Sequence, residues 1–390
     1  MALGFLSVAT ATAVAAPTIP SEELVSDQQD LLDPEYSQTR NMITWVDDSG
    51  KLWIADVDPK TGMFVPADGK GTLVDPDAMS TKDFRVLGNG PEWISTVYGD
   101  QIVYTKFFVG KPHVRATAQI ALAQQVQGGA WEYGFLFPPG TPRAVPYSSH
   151  DPRDPEPRIS YVDPSGNHYW RNLYDPASER RVENYPPNQY FLSMRFVEGE
   201  RAGTYPRVVD GVSQVFYYDL DTGIDTQITF DSGDKDLASR AWVWHAPEFG
   251  GDKVMMTIAD NIELRIYREH PGQQAWDLLR AIRTPNDGAL NSPEYFVYGN
   301  ASYVFFVGSV PPATYLSAVF LTNIDPADPQ LVQLTPNSPD KARTDPEVFF
   351  TAEGPYIYYN VGAIEPDRSR YCIPCNEGIF RTYTGLAPRE

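Results

Sequence analysis

The stretch Ser292-Pro293-Glu294-Tyr295-Phe296-Val297-Tyr298-Gly299-Asn300-Ala301-Ser302-Tyr303-Val304-Phe305 contains the features that decide the fold. It opens with a Pro-Glu-aromatic motif, turns at Gly299-Asn300 and continues as an alternating aromatic strand. Period-2 alternation bounded by Gly, Pro and Asp turns is the signal for strands joined as hairpins. The segment is therefore predicted to be a β-hairpin.

The Pro-Glu motif recurs along the chain, and its spacing predicts the architecture. The copies are Asp33-Pro34-Glu35-Tyr36, Gly90-Pro91-Glu92-Trp93, Asp154-Pro155-Glu156, Ala246-Pro247-Glu248-Phe249, Ser292-Pro293-Glu294-Tyr295 and Asp345-Pro346-Glu347-Val348. Their prolines are 57, 64, 92, 46 and 53 residues apart, and 92 is twice 46, so we expect a degenerate copy at Tyr205-Pro206-Arg207. Six intervals over 312 residues give 52 residues per repeat, which is typical of a propeller blade.

We therefore predict an all-β fold, a single β-propeller of four-stranded antiparallel blades over residues 31–390. Seven motif copies would allow seven blades. Because N-terminal strands are expected to complete the last blade, we predict six, within a range of five to seven. The repeated glutamates are interpreted as structural turn acceptors, and Ala116 to Gly140 is expected to form a lid or side loop.

The N-terminus indicates export. Residues 1–15 are apolar and end in Ala13-Val14-Ala15, which predicts a secretory signal peptide followed by a flexible leader over 16–30. No Lys or Arg precedes Arg40, so a flexible Ala/Thr-rich tail is the alternative. In this compartment Cys372 and Cys375, in a predicted C-terminal loop, are expected to form a local disulfide rather than a redox pair, and Asn300 is the one glycosylation sequon.

Charge restricts the partners. The chain has 31 Lys+Arg against 51 Asp+Glu, a net charge of −20, which argues against nucleic acid and against anionic lipid as partners. No segment other than the leader approaches the roughly 18 apolar residues of a membrane helix. The sequence does not indicate an oligomeric state.

Two clusters carry candidate chemistry. His150 and Arg158 are expected in a charged loop that leads to an inner strand, where the histidine would be a general base and the guanidinium would bind a carboxylate or enolate. A solvated loop whose charges cap turns is the alternative. His245 ends a strand that also contains Trp242 and Trp244, and Trp93 and Tyr295 occupy matching repeat positions. These aromatic residues would either pack between blades or line a central apolar pocket.

Familiar catalytic patterns are missing from the sequence. It contains no G-x-S-x-G elbow, no H-E-x-x-H motif and no P-loop, and its five histidines are scattered. We therefore predict no metal ligands and no cofactor. A small apolar or aromatic substrate is the expected ligand.

The repeats resemble those of TolB-type propellers. The resemblance is carried by Pro-Glu-aromatic, by Asp-x-x-Thr-Gly at Asp58 to Gly62 and Asp219 to Gly223, and by Gln227-Ile228-Thr229 and Gln333-Leu334-Thr335. In size, leader and lack of other catalytic motifs the chain is also similar to the fungal hetero-Diels–Alderases of tropolone–sesquiterpenoid pathways. That resemblance implies a secreted, cofactor-independent enzyme that joins a tropolone-type quinone methide to an apolar polyene.

The functional hypothesis follows from this resemblance and from repeat position. Trp93, Trp242, Trp244 and Tyr295 would enclose the apolar partner. Arg158, His150 or His245 would donate hydrogen bonds to the oxygen of the electrophile. The alternatives are a glycan-active propeller, either hydrolase or lyase, and a non-enzymatic TolB-like binding or scaffold module.

Overall fold

Seven antiparallel sheets follow one another in the described part of the chain, which in this computed structural model comprises residues 21–28, 31–65, 71–80, 90–108, 110–149, 156–185, 194–235, 241–270, 276–313, 315–364 and 371–388. Each sheet is one blade of a β-propeller, so the predicted all-β propeller is confirmed. Among the helices found in those residues, none is long and apolar enough to cross a membrane.

The strands of the first four blades run in chain order from the inner to the outer strand. Blade 1 contains β2 (Leu32–Ser37), β3 (Met42–Val46), β4 (Leu52–Val57) and β5 (Phe64–Val65), with β6 (Thr72–Asp75) also paired to β4. Blade 2 contains β7 (Glu92–Ile94), β8 (Gln101–Phe107), β9 (Ala118–Gln125) and β10 (Trp131–Phe135). Blade 3 contains β11 (Ala144–Ser148), β12 (Arg158–Val162), β13 (His168–Asn172) and β14 (Arg180–Arg181). Blade 4 contains β15 (Arg195–Phe196), β16 (Ala202–Val209), β17 (Val212–Asp219) and β18 (Asp225–Gln227).

The last three blades have longer strands. Blade 5 contains β19 (Trp242–Ala246), β20 (Asp252–Ala259), β21 (Glu263–Glu269) and β22 (Trp276–Arg283). Blade 6 contains β23 (Leu290–Tyr298), β24 (Ala301–Gly308), β25 (Ala318–Asn323) and β26 (Leu331–Gln333). Blade 7 contains β27 (Lys341–Thr351), β28 (Gly354–Ile364), β29 (Tyr371–Tyr383) and, outermost, β1 (Glu23–Ser26). Short 3₁₀ helices span Arg115–Thr117, Pro176–Ser178, Pro247–Phe249 and Pro285–Asp287.

The predicted count of six blades is wrong, because the described residues form seven sheets. An N-terminal strand does complete the last blade, since β1 pairs antiparallel with β29. It supplies only the outermost strand of blade 7, however, so ring closure removes no repeat from the count. Ion pairs reinforce this closure: Arg343, which is fully buried, binds Glu22 at 2.8 Å, and Arg381 binds Glu23 at 2.7 Å.

Four inner strands share a β-bulge at their proline. In blades 1, 3, 6 and 7 the residue before this proline has a positive φ and the strand register shifts across it. The residues concerned are Asp33 (φ 52°), Val145 (φ 58°), Ser292 (φ 46°) and Asp345 (φ 50°). Proline has no N–H to donate, and at the free inner edge of a blade none is needed. The bulge therefore explains why Pro recurs inside a strand.

Three predicted motif copies are not inner strands. Glu156 lies in the loop before β12 and binds Arg201, whereas the inner strand of blade 3 is Ala144–Ser148. The motif at Pro247 forms a 3₁₀ helix after β19. The expected degenerate copy at Pro206 lies in β16, the second strand of blade 4. The expected lid is also wrong, because much of that segment forms β9 and β10 of blade 2.

The hydrophobic core lies between neighbouring blades. Phe349 and Tyr358 of blade 7, for example, pack with Ile43 and Trp45 of blade 1. Comparable buried clusters join every other pair of consecutive blades. Burying each sheet against the next is how a radial array covers its faces. The inner strands are thereby held around a central channel.

Candidate functional site

A ring of side chains, one from each blade, surrounds the channel, and we call it the channel ring. In the bulged strands it is contributed by the residue after the proline, and in the other blades by the start of the inner strand. The residues at these register positions, in blade order, are Glu35, Glu92, Tyr147, Arg195, Trp242, Glu294 and Glu347. The Tyr147 and Trp242 rings also pack against the cores between blades 2 and 3 and between blades 5 and 6. The glutamates come from four consecutive blades: 6, 7, 1 and 2.

Four of the repeated glutamates lie close enough in the channel for their charges to act on one another, which their interpretation as separate turn acceptors did not predict. Glu248 is a hydrogen-bond acceptor, but for a strand of the next blade: its carboxylate accepts from the Ser302 amide of β24 at 2.8 Å and from the Ser302 hydroxyl at 2.9 Å. The two kinds of glutamate have the same motif. Strand register separates them, because only an inner-strand position faces the channel.

Burial and mutual repulsion raise the pKa of the channel carboxyls. Burial, together with the negative charges of Glu347 and Glu92, raises the pKa of Glu35 well above its usual range. Burial raises the pKa of Glu294 to about 8, although the Arg195 guanidinium opposes the shift. A carboxyl with a pKa of about 8, such as that of Glu294, carries a proton near neutral pH and can donate a hydrogen bond. Within the described residues, no group of three or more His, Cys, Asp or Glu side chains is placed to hold a metal ion.

A cavity opens beside the aromatic and basic members of the ring. Its enclosed volume is about 20 Å³, and its space reaches about 340 Å³ only when the solvent at its open mouth is counted. It is lined by Ser149 and Arg158 of blade 3, Phe196, Val197 and Glu198 of blade 4, Trp242 and Val243 of blade 5, and Tyr295 of blade 6. Four blades therefore contribute to one site.

Arg158 supplies a cationic group to the cavity wall. The residue is only 3% exposed, and its guanidinium donates to the carbonyl of Glu200 at 3.0 Å and lies 5.6 Å from the centre of the Phe196 ring. The Ser149 hydroxyl accepts a hydrogen bond from the Arg158 amide at 3.0 Å. These contacts hold the guanidinium in position, as a hydrogen-bond donor in a binding site requires.

Aromatic rings form the opposite wall. Trp242 and Tyr295 meet edge to face at 5.5 Å, and the Arg195 guanidinium lies 3.4 Å from the centre of the Trp242 ring. Tyr295 also stacks on Trp244 at 4.4 Å. A guanidinium over an indole face and paired aromatic rings both restrict side-chain motion. The wall is therefore a preorganised apolar surface.

The structure brings together three of the residues singled out from the sequence: Arg158, Trp242 and Tyr295. Trp244 is fully buried beneath Tyr295, and its indole N–H donates to the Ser302 hydroxyl. Trp93 is in the core between blades 1 and 2, where it packs against Trp131. Neither of these two indoles lines the cavity.

The remaining predicted site residues lie elsewhere. His245 is exposed, with its Nε2 3.2 Å from the Glu200 carboxylate and its Nδ1 2.9 Å from the Gly251 carbonyl oxygen. His150 lies outside the described residues.

The two predicted modifications stay predictions. Cys372 and Cys375 fall within the backbone of β29 rather than in a loop, and their side chains are outside the described part of the structure. Asn300 is exposed in the turn between β23 and β24, where its φ is 67°. The hydroxyl of Ser302, the third sequon residue, is buried and hydrogen-bonded.

Sequence reasoning missed Arg195, Glu198 and Ser149. Blade 4 has no Pro-Glu motif at its inner strand, so Arg195 had no repeat position that would identify it. Glu198 follows three residues later in the turn after β15 and reaches the hydroxyl of Tyr295. A search for the short strand at Met194-Arg195-Phe196, rather than for a proline, would have located both residues.

Comparison with known proteins concerns the fold. The chain is similar to TolB from Acinetobacter baumannii, with 13% identity, a TM-score of 0.40, and coverage of 87% of this chain and 78% of that one. It is similar to the Cps50 (Swd1) β-propeller domain of Myceliophteria thermophila, with 10% identity, a TM-score of 0.49, and coverage of 95% and 98%. A prolyl endopeptidase structure matches with 12% identity and a TM-score of 0.43 over 74% of this chain but only 41% of the endopeptidase.

None of these three structures is a Diels–Alderase, so that resemblance gains no support from them. No family model matches the chain, and no curated protein matches it. What is established is the fold, a single seven-bladed β-propeller.

Proposed function

We propose that this chain is a small-molecule-binding β-propeller that holds an apolar, ring-containing ligand in the cavity between blades 3 and 6. The supporting observation is that Arg158, Trp242 and Tyr295, from three different blades, line that one cavity. Aromatic walls with a few placed polar groups are the usual form of a small-molecule site. The ligand ring would lie against the two aromatic side chains, and an oxygen of the ligand would accept a hydrogen bond from Arg158.

The finer proposal is the cofactor-independent cyclisation implied by the resemblance to hetero-Diels–Alderases. Arg158 would withdraw electron density from the oxygen of the electrophile, while the aromatic wall would hold the polyene against it. The protonated carboxyl of Glu294 offers a further donor at the channel side. His245 has no role in this scheme, because its imidazole lies against Glu200. The alternative is that this chain is a non-enzymatic binding module of the secretory pathway, which would bind its ligand in the same cavity without any chemical step.

Thermal shift tests the binding proposal. The purified chain is screened against tropolone-like aromatics and terpenoids in one panel and oligosaccharides in the other. A ligand at 100 times its Kd stabilises a protein by about 2.7 kcal/mol, which gives a measurable rise in Tm. We expect stabilisation by the apolar panel alone. Stabilisation by sugars alone would contradict the proposal and favour the glycan-active alternative.

A matched pair of tryptophan variants locates the ligand. Trp242 and Trp131 are both half-buried and both lie under a guanidinium, at 3.4 Å and 5.7 Å respectively, but only Trp242 lines the cavity. Trp242→Leu should abolish the ligand-induced shift, whereas Trp131→Leu should keep it. If the shift survives Trp242→Leu, the ligand binds at another site.

Turnover separates enzyme from binding module. A polyene and a quinone-methide precursor are incubated with the protein, and mass spectrometry is used to seek the adduct, whose mass is that of the polyene plus the precursor minus the leaving group that the precursor loses in forming the quinone methide. Removing a preorganised hydrogen-bond donor typically lowers the rate about 100- to 1,000-fold, so Arg158→Met should show that loss and Arg158→Lys a smaller one. Binding without any adduct would identify the chain as a binding module.

A further inference from the structure

A hydrogen bond between two non-adjacent blades crosses the cavity. The Tyr295 hydroxyl in blade 6 donates to Oε2 of Glu198 in blade 4 at 2.5 Å. Both residues line the cavity, and Trp242 of the intervening blade 5 lies in the same wall. The bond therefore spans the space through which a ligand would reach Trp242.

The two ends of this bond are held very differently. The Tyr295 ring is stacked on Trp244 at an interplanar angle of 12°, and Trp244 is itself fully buried. Glu198 is exposed in the turn after β15 and is followed by Gly199, whose φ is 74°. Across the described residues, Glu198 has no second hydrogen bond or ion pair. One end is rigid, and the other is the tip of a turn.

The base of the same turn is anchored. Glu200 accepts a hydrogen bond from the Tyr217 hydroxyl and lies 3.5 Å from the ammonium of Lys253 and 3.2 Å from His245. Backbone hydrogen bonds from the Glu200 amide to the Val197 carbonyl at 3.3 Å and from the Val197 amide to the Ala202 carbonyl at 3.0 Å close this turn. The part that can move is therefore the exposed Glu198 side chain, which can change rotamer while the backbone stays in place.

We propose that the Tyr295–Glu198 hydrogen bond is a latch that controls entry to the cavity. When it is formed, the Glu198 side chain lies across the cavity in front of Trp242; when it breaks, that side chain turns into solvent and frees this space. The use of the latch for ligand entry rests on the proposed function, but its opening is a property of the free protein. Burial and the Glu198 charge raise the pKa of Tyr295, so its hydroxyl keeps the proton that it donates.

Cysteine accessibility tests the latch without any ligand. Ser149 lines the cavity and is 3% exposed, so Ser149→Cys places a thiol behind the latch. The reagent is methyl methanethiosulfonate, and modification is followed by mass spectrometry. The same protein without the reporter measures any background from Cys372 and Cys375. If Ser149→Cys does not fold, it is replaced by Val243→Cys. Val243 also lines the cavity and is 2% exposed.

Latch variants are then compared in the reporter background. Tyr295→Phe and Glu198→Ala should each speed modification about tenfold or more, the factor expected for losing a hydrogen bond to a charged group. Glu198→Gln keeps an acceptor and should give an intermediate rate. Combining Tyr295→Phe with Glu198→Ala should add little to either single change, because both break the same bond.

The matched control is Tyr356→Phe, which removes a Tyr–Glu hydrogen bond of 2.9 Å to Glu353, at a site away from the cavity. It should leave the modification rate unchanged. Unchanged rates in Tyr295→Phe and Glu198→Ala, with Tm preserved, would overturn the latch. Because the readout needs no ligand, a failed latch leaves the ligand-binding proposal standing, and a failed ligand screen leaves the latch standing.

Discussion

The two halves of the channel ring occupy equivalent repeat positions but differ in chemistry. Blades 6, 7, 1 and 2 contribute Glu294, Glu347, Glu35 and Glu92, whereas blades 3, 4 and 5 contribute Tyr147, Arg195 and Trp242. The cavity lies on the second side. In a repeated architecture, function is expected where the repeat is broken, because identical positions create a uniform lining and only departures from it create a specific site.

In the acidic half, formed by blades 6, 7, 1 and 2, burial and mutual repulsion disfavour the charged form of the carboxyl groups. Burial and neighbouring carboxylates raise the pKa of Glu35 and Glu347. Arg195, in the middle of the other half, opposes the rise in the pKa of Glu294 and of Glu347, and its guanidinium rests on the Trp242 ring. The guanidinium thus serves both halves. Three substitutions test this comparison, in order of decreasing effect.

The largest effect is expected from Arg195→Met. The change removes the cation that faces Glu294 and Glu347, and it also removes the guanidinium that lies over one face of the Trp242 ring. Removing one partner of a fully buried ion pair costs about 3–5 kcal/mol. Arg195 is half-buried, so we expect the free energy of unfolding to fall by about 2 kcal/mol near pH 8, measured by urea denaturation.

Arg40→Met is the control for this change. The Arg40 guanidinium lies 5.7 Å from the Trp131 ring, outside the channel ring. Its loss should cost less than about 1 kcal/mol. Equal losses for the two variants would show that Arg195 has no special role in linking the two halves of the channel ring.

An intermediate effect is expected from Glu294→Gln, and it should depend on pH. Because burial raises the folded-state pKa of Glu294 to about 8, the folded protein holds this proton more tightly than the unfolded chain. The resulting stabilisation is complete below the unfolded pKa of about 4.3 and is lost as pH rises through about 8. The free energy of unfolding of the wild type should therefore decrease between about pH 6 and 9. Glu294→Gln should reduce this loss by about 1 kcal/mol or more.

Tm measured against pH tests this prediction, with Glu92, Asp345 and Arg195 as the charged groups that face Glu294. The control is Glu353→Gln, which removes an exposed carboxyl outside the channel. Its pH profile should match that of the wild type. If Glu294→Gln also has the pH profile of the wild type, the pKa of Glu294 is not raised in the folded protein, and the prediction is wrong.

The smallest effect is expected from Asp33→Asn. Asp33 accepts a hydrogen bond from the Gly90 amide at 2.6 Å, and burial and the Asp345 charge raise its pKa well above the usual range. The protonated carboxyl and the amide have similar shapes, and the amide oxygen can still accept from Gly90. We expect a change within about 0.5 kcal/mol at neutral pH, measured by urea denaturation. A loss of several kcal/mol would mean that Asp33 acts as a buried anion.

Sequence reasoning went further for the fold than for the site. Period-2 alternation and the Pro-Glu repeat were sufficient for an all-β propeller, because strand period and turn residues are local signals. The blade count failed because the sequence does not show how much of the last blade the N-terminus supplies: it supplies only the outermost strand, β1, which pairs with β29. Motif register failed at Glu156 and Glu248, since a tetrapeptide does not specify which strand of a blade contains it.

At the site, residue type could be read from the sequence, but which residues contact one another could not. The aromatic residues and Arg158 were recognisable as binding chemistry. That Trp242 and Tyr295 meet Arg158 while Trp93 and Trp244 pack into the core depends on which face of each strand points to the cavity. Glu198 meets Tyr295 across 97 residues of sequence, a pairing with no local signal.

The strands, the repeat and the acidity of the chain follow from composition and short-range alternation, so they can be predicted from the order of residues. Three features depend on how the blades assemble: that seven of them close the ring, that four of the repeated glutamates meet in one channel, and that a cavity lies on the opposite side. The physical reason is that blades pack radially, so residues about 50 positions apart become neighbours. Their shared charge and shape exist only once the ring is closed.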